Sequence, residues 1–289
     1  MRWLEITVTT APPAVEAIAN ILLECRSGGV AEEATPSGHV KLRGYLPVGP
    51  ATPVTLSAIE ARVRGLSRFG LDAGPATVES QEIEDEGWAH AWKIHFRPFA
   101  VGRLWITPTW DHTAPPNGSV VIELDPGMAF GSGLHPSTQM CLMLSSRRLQ
   151  GGETVFDVGT GSGILAIAAA KLGAARVLAC DNDPVAVEVA RHNVAYNRVA
   201  DRVTVEEGDL LRGVEAQAHL ILANLIADVH LDFLPQARPR LRPGGSLAAS
   251  GVIEDRVHEV EAVARGAGVT VMDTMRSGEW RCVVLGAPG

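Results

Sequence analysis

The 289-residue sequence predicts an α/β chain in two parts, a small α+β domain followed by a larger one built on a mostly parallel sheet with helices on both faces. Three observations predict it. Strand and helix patterns alternate at a steady pitch from about residue 119 onward. A glycine-rich turn at 157–163 closes a short apolar strand and opens an alanine-rich helix. Residues 1–85 run in a different order, β-α-β-β-α-β.

In the first part, residues 2–9 alternate as a strand, and Pro12-Pro13 opens a segment whose apolar positions Val15, Ile18, Ala19, Leu22 and Leu23 recur at helical spacing. Gly28-Gly29 stops that helix, and short strands are expected at 29–33 and 39–46. A second helix is expected over 54–68, with Leu56, Ile59, Val63 and Leu66 on one face and Gly70 past its end. Residues 76–84 supply a fourth strand. This is the ferredoxin-like order, two helices over one face of an antiparallel sheet, and it is assigned to residues 1–86.

Residues 87–118 read as a linker. After the polar Glu84-Asp85-Glu86-Gly87, the rings Trp88, Trp92, Phe96, Phe99, Trp105 and Trp110 crowd a short stretch. Two readings stand: the rings cement a segment that has little core of its own, or one or two of them line an entrance for substrate or cofactor. The turn Pro115-Pro116-Asn117-Gly118 leads into the larger domain, residues 119–289.

There the strands are read at Val155–Val158, Arg176–Ala179, Val203–Glu206, Leu220–Ala223 and Ser246–Ser250, with helices at Ile164–Leu172, Val185–Asn197, Val229–Ala237 and 254–266 between and after them. Strand-helix alternation of this kind makes a Rossmann-like parallel sheet. Val269–Met275 and Trp280–Leu285, joined by Ser277-Gly278-Glu279, read instead as a hairpin. A terminal hairpin that puts one antiparallel strand into a parallel sheet is what a class I methyltransferase adds to the dinucleotide-binding plan, making seven strands.

Composition removes several function classes. No apolar run approaches the ~20 residues needed to span a bilayer, and the N-terminus lacks a signal-peptide layout. Cys25, Cys141, Cys180 and Cys282 are scattered without a CxxC pair, so buried free thiols in a reducing, cytoplasmic setting are expected, and no metal site. The net charge of -8 is spread over both parts, which disfavours a nucleic-acid substrate and suits a basic protein partner. A monomer is expected.

The turn Asp157-Val158-Gly159-Thr160-Gly161-Ser162-Gly163 sits where a nucleotide binds, since glycines bring backbone close to a ligand. Its glycines run GxGxG and miss the GxGxxG spacing of a pyrophosphate loop. An acid two residues upstream suits S-adenosylmethionine, which has no phosphate and carries a cationic sulfonium. Asp157, Gly159, Gly161 and Gly163 are therefore cofactor candidates. Asp181, ending the second strand, is read as the acceptor of two ribose hydroxyls, and Asp183 as the cap of the helix opened by Pro184. Asp209 either accepts the adenine amino group or is a solvated turn acid. Asn224, after the fourth strand, either caps a helix or accepts hydrogens from an incoming amine and aims its lone pair at the methyl carbon. No aromatic follows it, which favours an aliphatic amine over a flat base.

The stretch from Glu123-Leu124-Asp125-Pro126-Gly127-Met128-Ala129-Phe130 through Gly131-Ser132-Gly133-Leu134-His135-Pro136-Ser137-Thr138 resembles the signature of the bacterial methyltransferase family that modifies large-subunit ribosomal protein eleven. So do Asp157–Gly163 with the Ile164–Ala169 helix, Asp181–Pro184, Ala223-Asn224-Leu225, the linker Trp88-Ala89 with Trp92-Lys93, and the opening Arg2-Trp3-Leu4-Glu5, so the resemblance spans essentially the whole chain. It implies an N-terminal domain that recognises the ribosomal protein, a mobile linker, a catalytic domain that methylates the target's N-terminal amine and lysine side chains, and cofactor contacts at Thr138, Gly159, Asp181 and Asn224. The family usually has threonine at Ser132 and Leu134, and often isoleucine at Asn182.

Within that signature, Gly127, Gly131 and Gly133 read as a mobile lid, with Phe130 covering the cofactor and Thr138 bonding its amino-acid part. His135 reads as a structural hydrogen-bonding group, with a base as the other possibility. The expected chemistry is in-line methyl transfer to a neutral amine, with Asn224 as the catalytic residue. Rival readings are a methyltransferase for another protein or small molecule, a non-catalytic ribosome-binding module, and a nicotinamide oxidoreductase.

Overall fold

The computed structural model describes residues 2–25, 30–35, 37–49, 52–66, 72–84, 97–125 and 131–287. It divides into two compact units, Met1–Phe96 and Arg97–Gly289.

The first unit contains β1 (Arg2–Thr10), a 3-10 turn at Pro12–Ala14, α1 (Val15–Glu24), β2 (Val30–Ala34), β3 (Val40–Pro47), α2 (Thr52–Gly65) and β4 (Thr77–Glu84). Its sheet runs β2-β3-β1-β4 with every neighbour antiparallel, the order expected for a ferredoxin-like plan. Ile6 and Val8 of β1, Ile18 and Leu22 of α1, and Ile59 and Val63 of α2 form one buried core, so the helical spacing read from the sequence marks the faces that pack. Helix α2 begins two residues earlier than expected, where the Gly49 N–H donates to Thr52 Oγ1 at 2.7 Å. Gly28, Gly29 and Gly70 lie outside the described residues.

The second unit begins earlier than the sequence suggested. Residues 97–118, read as linker, carry β5 (Phe99–Val101) and β6 (Leu104–Pro108), which form a three-stranded sheet with β7 (Val120–Leu124). Strand β6 is antiparallel to β5 and parallel to β7. The pattern hid them because β5 has only three residues and β6 is buried on both faces, with Leu104 and Ile106 fully enclosed, so no alternation shows. The turn at 115–118 is there, with the Ser119 N–H donating to the Pro116 carbonyl at 3.1 Å. Trp88, Trp92 and Phe96 lie outside the described residues.

After this come α3 (Pro136–Arg148), β8 (Thr154–Val158), α4 (Ile164–Lys171), β9 (Arg176–Asp181), α5 (Pro184–Tyr196), β10 (Val203–Glu207), β11 (Ala218–Asn224), α6 (Ala227–Ala237), β12 (Leu241–Ile253), α7 (Val257–Gly266), β13 (Thr270–Ser277) and β14 (Trp280–Gly286). The seven-stranded sheet runs β10-β9-β8-β11-β12-β14-β13, parallel from β10 to β12, with β14 antiparallel to both of its neighbours. Phe156, Ile221, Phe233, Leu247, Val260 and Leu285 lie in the core over one face. Helix α3 was not anticipated, because buried Ser137, Thr138 and Ser145 interrupt its apolar stripe; its signal was Pro136 in the first turn behind a capping residue.

The outer edge of β7 is closed by two side chains one turn apart, Asn193 of α5 and Asn197 at its C-cap. Asn197 Oδ1 accepts from the Glu123 N–H at 3.0 Å while its Nδ2 donates to the Glu123 carbonyl at 2.5 Å. Asn193 Oδ1 accepts from the Asp125 N–H at 3.2 Å, and its Nδ2 donates to the carbonyls of Asp125 at 3.0 Å and Ser162 at 2.9 Å. These amides stand in for a missing neighbouring strand and join β7, α5 and the glycine-rich turn. Removing one strands several buried polar groups. Asn193→Ala is therefore expected to cost about 2–4 kcal/mol in urea unfolding. A change below about 0.5 kcal/mol would show that the ladder is not needed.

Candidate active site

The strand order reverses on either side of β8, and in such a sheet the crevice beyond the carboxyl ends of the central strands is where ligands bind. Four chain segments meet there: the turn after β8, the end of β9, the end of β11 and the start of α3.

The turn after β8 takes a left-handed backbone at Gly159 (φ 71), Gly161 (φ 54) and Gly163 (φ 84), a region that penalises any Cβ. Space matters as well as angle. A Cβ on Gly159 would lie 2.5 Å from Leu225 Cδ2, and one on Gly163 would lie 3.3 Å from the Cα and Cβ of Ala190 on α5. The backbone N–H groups of Gly159 and Thr160 both donate to the Cys180 carbonyl, at 2.9 and 3.0 Å, which ties the turn to β9.

Two carboxylates hold the turn from below and from the side. Asp157 is fully buried; its Oδ2 accepts from Thr160 Oγ1 at 2.6 Å and from the Ala166 N–H at 2.9 Å, and its Oδ1 has no partner among the described residues. Burial drives its pKa up to about 7, against the pull of those two hydrogen bonds. Asp157 therefore lies beneath the turn, bonded to its Thr160 and to the first turn of α4. Asp181, half-buried at the end of β9, takes the Gly161 N–H on Oδ2 at 2.9 Å and the Asp183 N–H on Oδ1 at 3.1 Å. Each oxygen keeps a lone pair for a further donor. Asp183 caps α5 by accepting from the Val185 N–H at 2.9 Å, as expected.

Asn224 ends β11, half-buried, and its Nδ2 donates to Thr138 Oγ1 at 3.0 Å. Thr138 is buried in the first turn of α3, whose cap is His135. The His135 Nδ1 accepts from the Ser137 N–H at 3.3 Å and lies 2.6 Å from Ser137 Oγ, so His135 is structural, and burial lowers its pKa. A chain of buried polar groups continues from there. Ser250 Oγ donates to the Ser137 carbonyl at 2.9 Å, and the Ser250 carbonyl accepts from the Leu225 N–H at 3.0 Å and from His230 Nε2 at 2.8 Å. Desolvation takes the fully buried His230 down to about 4, partly offset by the Ser250 and Leu225 carbonyls, so the ring is neutral.

Sequence reasoning missed Ser250, His230 and Gly251. Gly251 (φ 83) is the extra residue of a bulge where the β12–β14 register shifts, and a Cβ there would lie 2.5 Å from the Leu225 carbonyl oxygen and 3.0 Å from Asn224 Oδ1. An isolated glycine inside a strand pattern was the signal available for it. For Ser250 and His230 no local pattern marks the contact. One candidate does not join the cluster. Asp209 is exposed and pairs with Arg212 at 3.0 Å, which favours the solvated-turn reading over an adenine contact, and Phe130 lies outside the described residues.

A family model described as ribosomal protein L11 methyltransferase (PrmA) matches residues 2–287. Among similar proteins, the ribosomal protein L11 methyltransferase of Pelotomaculum thermopropionicum is 42% identical, with 97% of each chain covered. That of Anoxybacillus flavithermus is 40% identical, again with 97% of each covered. A crystal structure of the ribosomal protein L11 methylase from Lactobacillus delbrueckii subsp. bulgaricus, 35% identical, superposes with a TM-score of 0.62 over 67% of this chain and 100% of that one.

Asp157 and His230 give stability opposite pH dependences. The Asp157 pKa is raised from 3.8 to about 7, so the folded state holds a proton that the unfolded chain has released, and its contribution falls as pH rises across that window. His230 is depressed from 6.5 to about 4; its contribution is complete above 6.5 and is lost as pH falls through about 4. Asp157→Asn removes the first alone. The variant's stability relative to the parent is expected to rise by on the order of 2 kcal/mol between pH 5 and pH 7, read by calorimetry. A stability difference independent of pH would contradict the buried, proton-holding acid.

Proposed function

Because the chain belongs to the ribosomal protein L11 methyltransferase family, we propose a division of labour among its site residues in which Asn224 aims the acceptor amine and the glycine-rich turn and Asp181 hold the cofactor. The chain is an S-adenosylmethionine-dependent enzyme that methylates lysine side-chain and N-terminal amino groups of ribosomal protein L11. S-adenosylmethionine, when bound, supplies a methyl carbon made electrophilic by its sulfonium.

Two features support the fit of that group. The left-handed glycines offer bare backbone at 159, 161 and 163, and Asp157 leaves a buried oxygen without a partner beneath them. A nearby cation would favour the ionised form of this acid and so oppose the burial that raises it. In our reading Asp181 accepts the ribose hydroxyls with its spare lone pairs, and Thr138 lies against the amino-acid end, where its hydroxyl already meets Asn224. Asp157 acts through Thr160 and Ala166 as a positioning residue.

Asn224 is the residue on which the chemistry turns. Its Nδ2 is committed to Thr138, which orients its Oδ1 as an acceptor, and a Cβ on Gly251 would lie 3.0 Å from that oxygen. An amine N–H donated to Oδ1 fixes the direction of the nitrogen lone pair, so acceleration comes from alignment. The amine must be neutral, whereas lysine ordinarily titrates near ~10.4 and an α-amine near ~7.7–8.0. A site with no strong base at Asn224 leaves the proton to solvent, and lysine transfer should rise with pH over that range.

The N-terminal unit is assigned to recognition of the ribosomal protein, supported by its independent core and sheet. No helix among the described residues is long and apolar enough to cross a membrane. A cytoplasmic location is part of the same reading, supported by four free cysteines and a ribosomal substrate.

The reading is tested by incubating the purified chain with ribosomal protein L11 and S-adenosylmethionine and following intact mass, which should climb in steps of one methyl group. Asn224→Ala is expected to lower single-turnover transfer by about 100-fold and to change cofactor affinity, by calorimetry, by less than about fivefold. Equal losses in both would remove the aiming role.

A further inference from the structure

The acceptor end of the crevice carries apolar side chains that the core does not claim. Ile226, two residues past Asn224, is 63% exposed, and Ile253, three past Ser250, is 36% exposed. They belong to one rim. Asn224 and Ser250 are register partners at the carboxyl ends of β11 and β12, and Ile253 pairs with Trp280 at the start of β14. The Trp280 ring meets the His135 ring edge-on, 4.5 Å between centroids, beside half-exposed Leu134. An ion pair of 2.8 Å from Arg256 to Asp228 closes the rim, joining the segment after β12 to the first turn of α6.

Stability does not account for the two isoleucines. Each occupies the extended N-cap position of a helix, Ile226 before α6 and Ile253 before the 3-10 turn Glu254–Arg256, and neither makes a side-chain capping bond. Serine, threonine, aspartate and asparagine serve that position, and isoleucine is among the poorest choices. Ile226 lies two residues past Asn224 and Ile253 three past its register partner Ser250, and both positions trade capping for something else.

The rim's charge names the partner. Asp228 is largely exposed, Glu279 is exposed, and the Glu254 N–H donates to the Glu279 carbonyl at 2.9 Å, which brings the acids of both segments together. Asp228, Glu254, Glu259 and Glu279 face two arginines there, Arg256 paired with Asp228 and Glu259 and Arg281 paired with Glu254, so these groups together carry a net negative charge. An apolar wall edged with carboxylates complements a side chain with an aliphatic stem and a cationic head.

We propose that Ile226 and Ile253, with Trp280, form a seat for the methylene stem of a substrate lysine, and so set the ratio of lysine methylation to methylation of the N-terminal α-amine, which has no such stem. This rests on the proposed function and specifies its acceptor side. Ile226→Ser and Ile253→Ser test it, because each installs a favoured cap and so retains the fold. Methylation at lysine and at the α-amine of ribosomal protein L11 is followed separately by peptide mass mapping, with S-adenosylmethionine affinity measured by calorimetry. Lysine transfer is expected to fall about tenfold, with α-amine transfer and cofactor affinity within about twofold of the parent. Tyr196→Ser, an exposed ring at the far end of α5, should leave the ratio unchanged. A parent chain that methylates neither amine would overturn the reading beneath the proposal. A parent that methylates both, with variants that keep the parent's lysine-to-α-amine ratio, would overturn the seat alone.

Discussion

A turn that places three left-handed residues within five positions has no regular hydrogen-bond pattern to keep its shape, and here two carboxylates do that work. Asp157 binds the turn's Thr160 and the first turn of α4 from inside the core, and Asp181 takes the Gly161 N–H from the neighbouring strand. Their environments differ. The buried acid bonds with one oxygen and leaves the other without a partner among the described residues, while the half-buried one uses each oxygen once. The two are therefore held differently, although both are aspartates at adjacent strand ends.

The acceptor side depends on that frame through packing. Gly159 has no side chain because Leu225 fills the space, and Leu225 follows Asn224 directly. Gly251 repeats the device on the other side, letting the β12 bulge run beneath Asn224 and Leu225. Between the two glycines the Asn224–Leu225 segment has little freedom, and the buried Ser250, His230 and Ser137 satisfy its polar neighbours. Asn193 connects the turn to β7 through the Ser162 carbonyl, and the Ser162 hydroxyl donates to the Gly131 carbonyl at 2.6 Å. Both flanks of residues 126–130 are thereby anchored to the same turn and helix.

The parts of this molecule that were legible in the sequence are those dictated by local periodicity. Every strand of the seven-stranded sheet, every helix after β8 and the terminal hairpin came from apolar spacing and glycine placement. Asp183 before Pro184 could be read as a cap because capping is decided within three residues. What was illegible depends on distance in space or on the absence of a pattern. Strands β5 and β6 are too short and too buried to alternate. Helix α3 is lined with serine and threonine because its inner face meets a polar site. Asp157 read as a ligand-facing acid because its position in the loop is local, whereas its direction, inward, is set by Thr160 and Ala166. His230 was invisible because its partner lies twenty residues away on another element.

The central claim is that the turn held by Asp157 and Asp181 receives S-adenosylmethionine. Titrating the cofactor into isotope-labelled protein and following the Gly159, Gly161 and Gly163 amide resonances tests it directly. Those three amides are expected to shift saturably and their hydrogen exchange to slow as the cofactor binds. Saturable binding that moves amides elsewhere and leaves all three glycines unperturbed would contradict it.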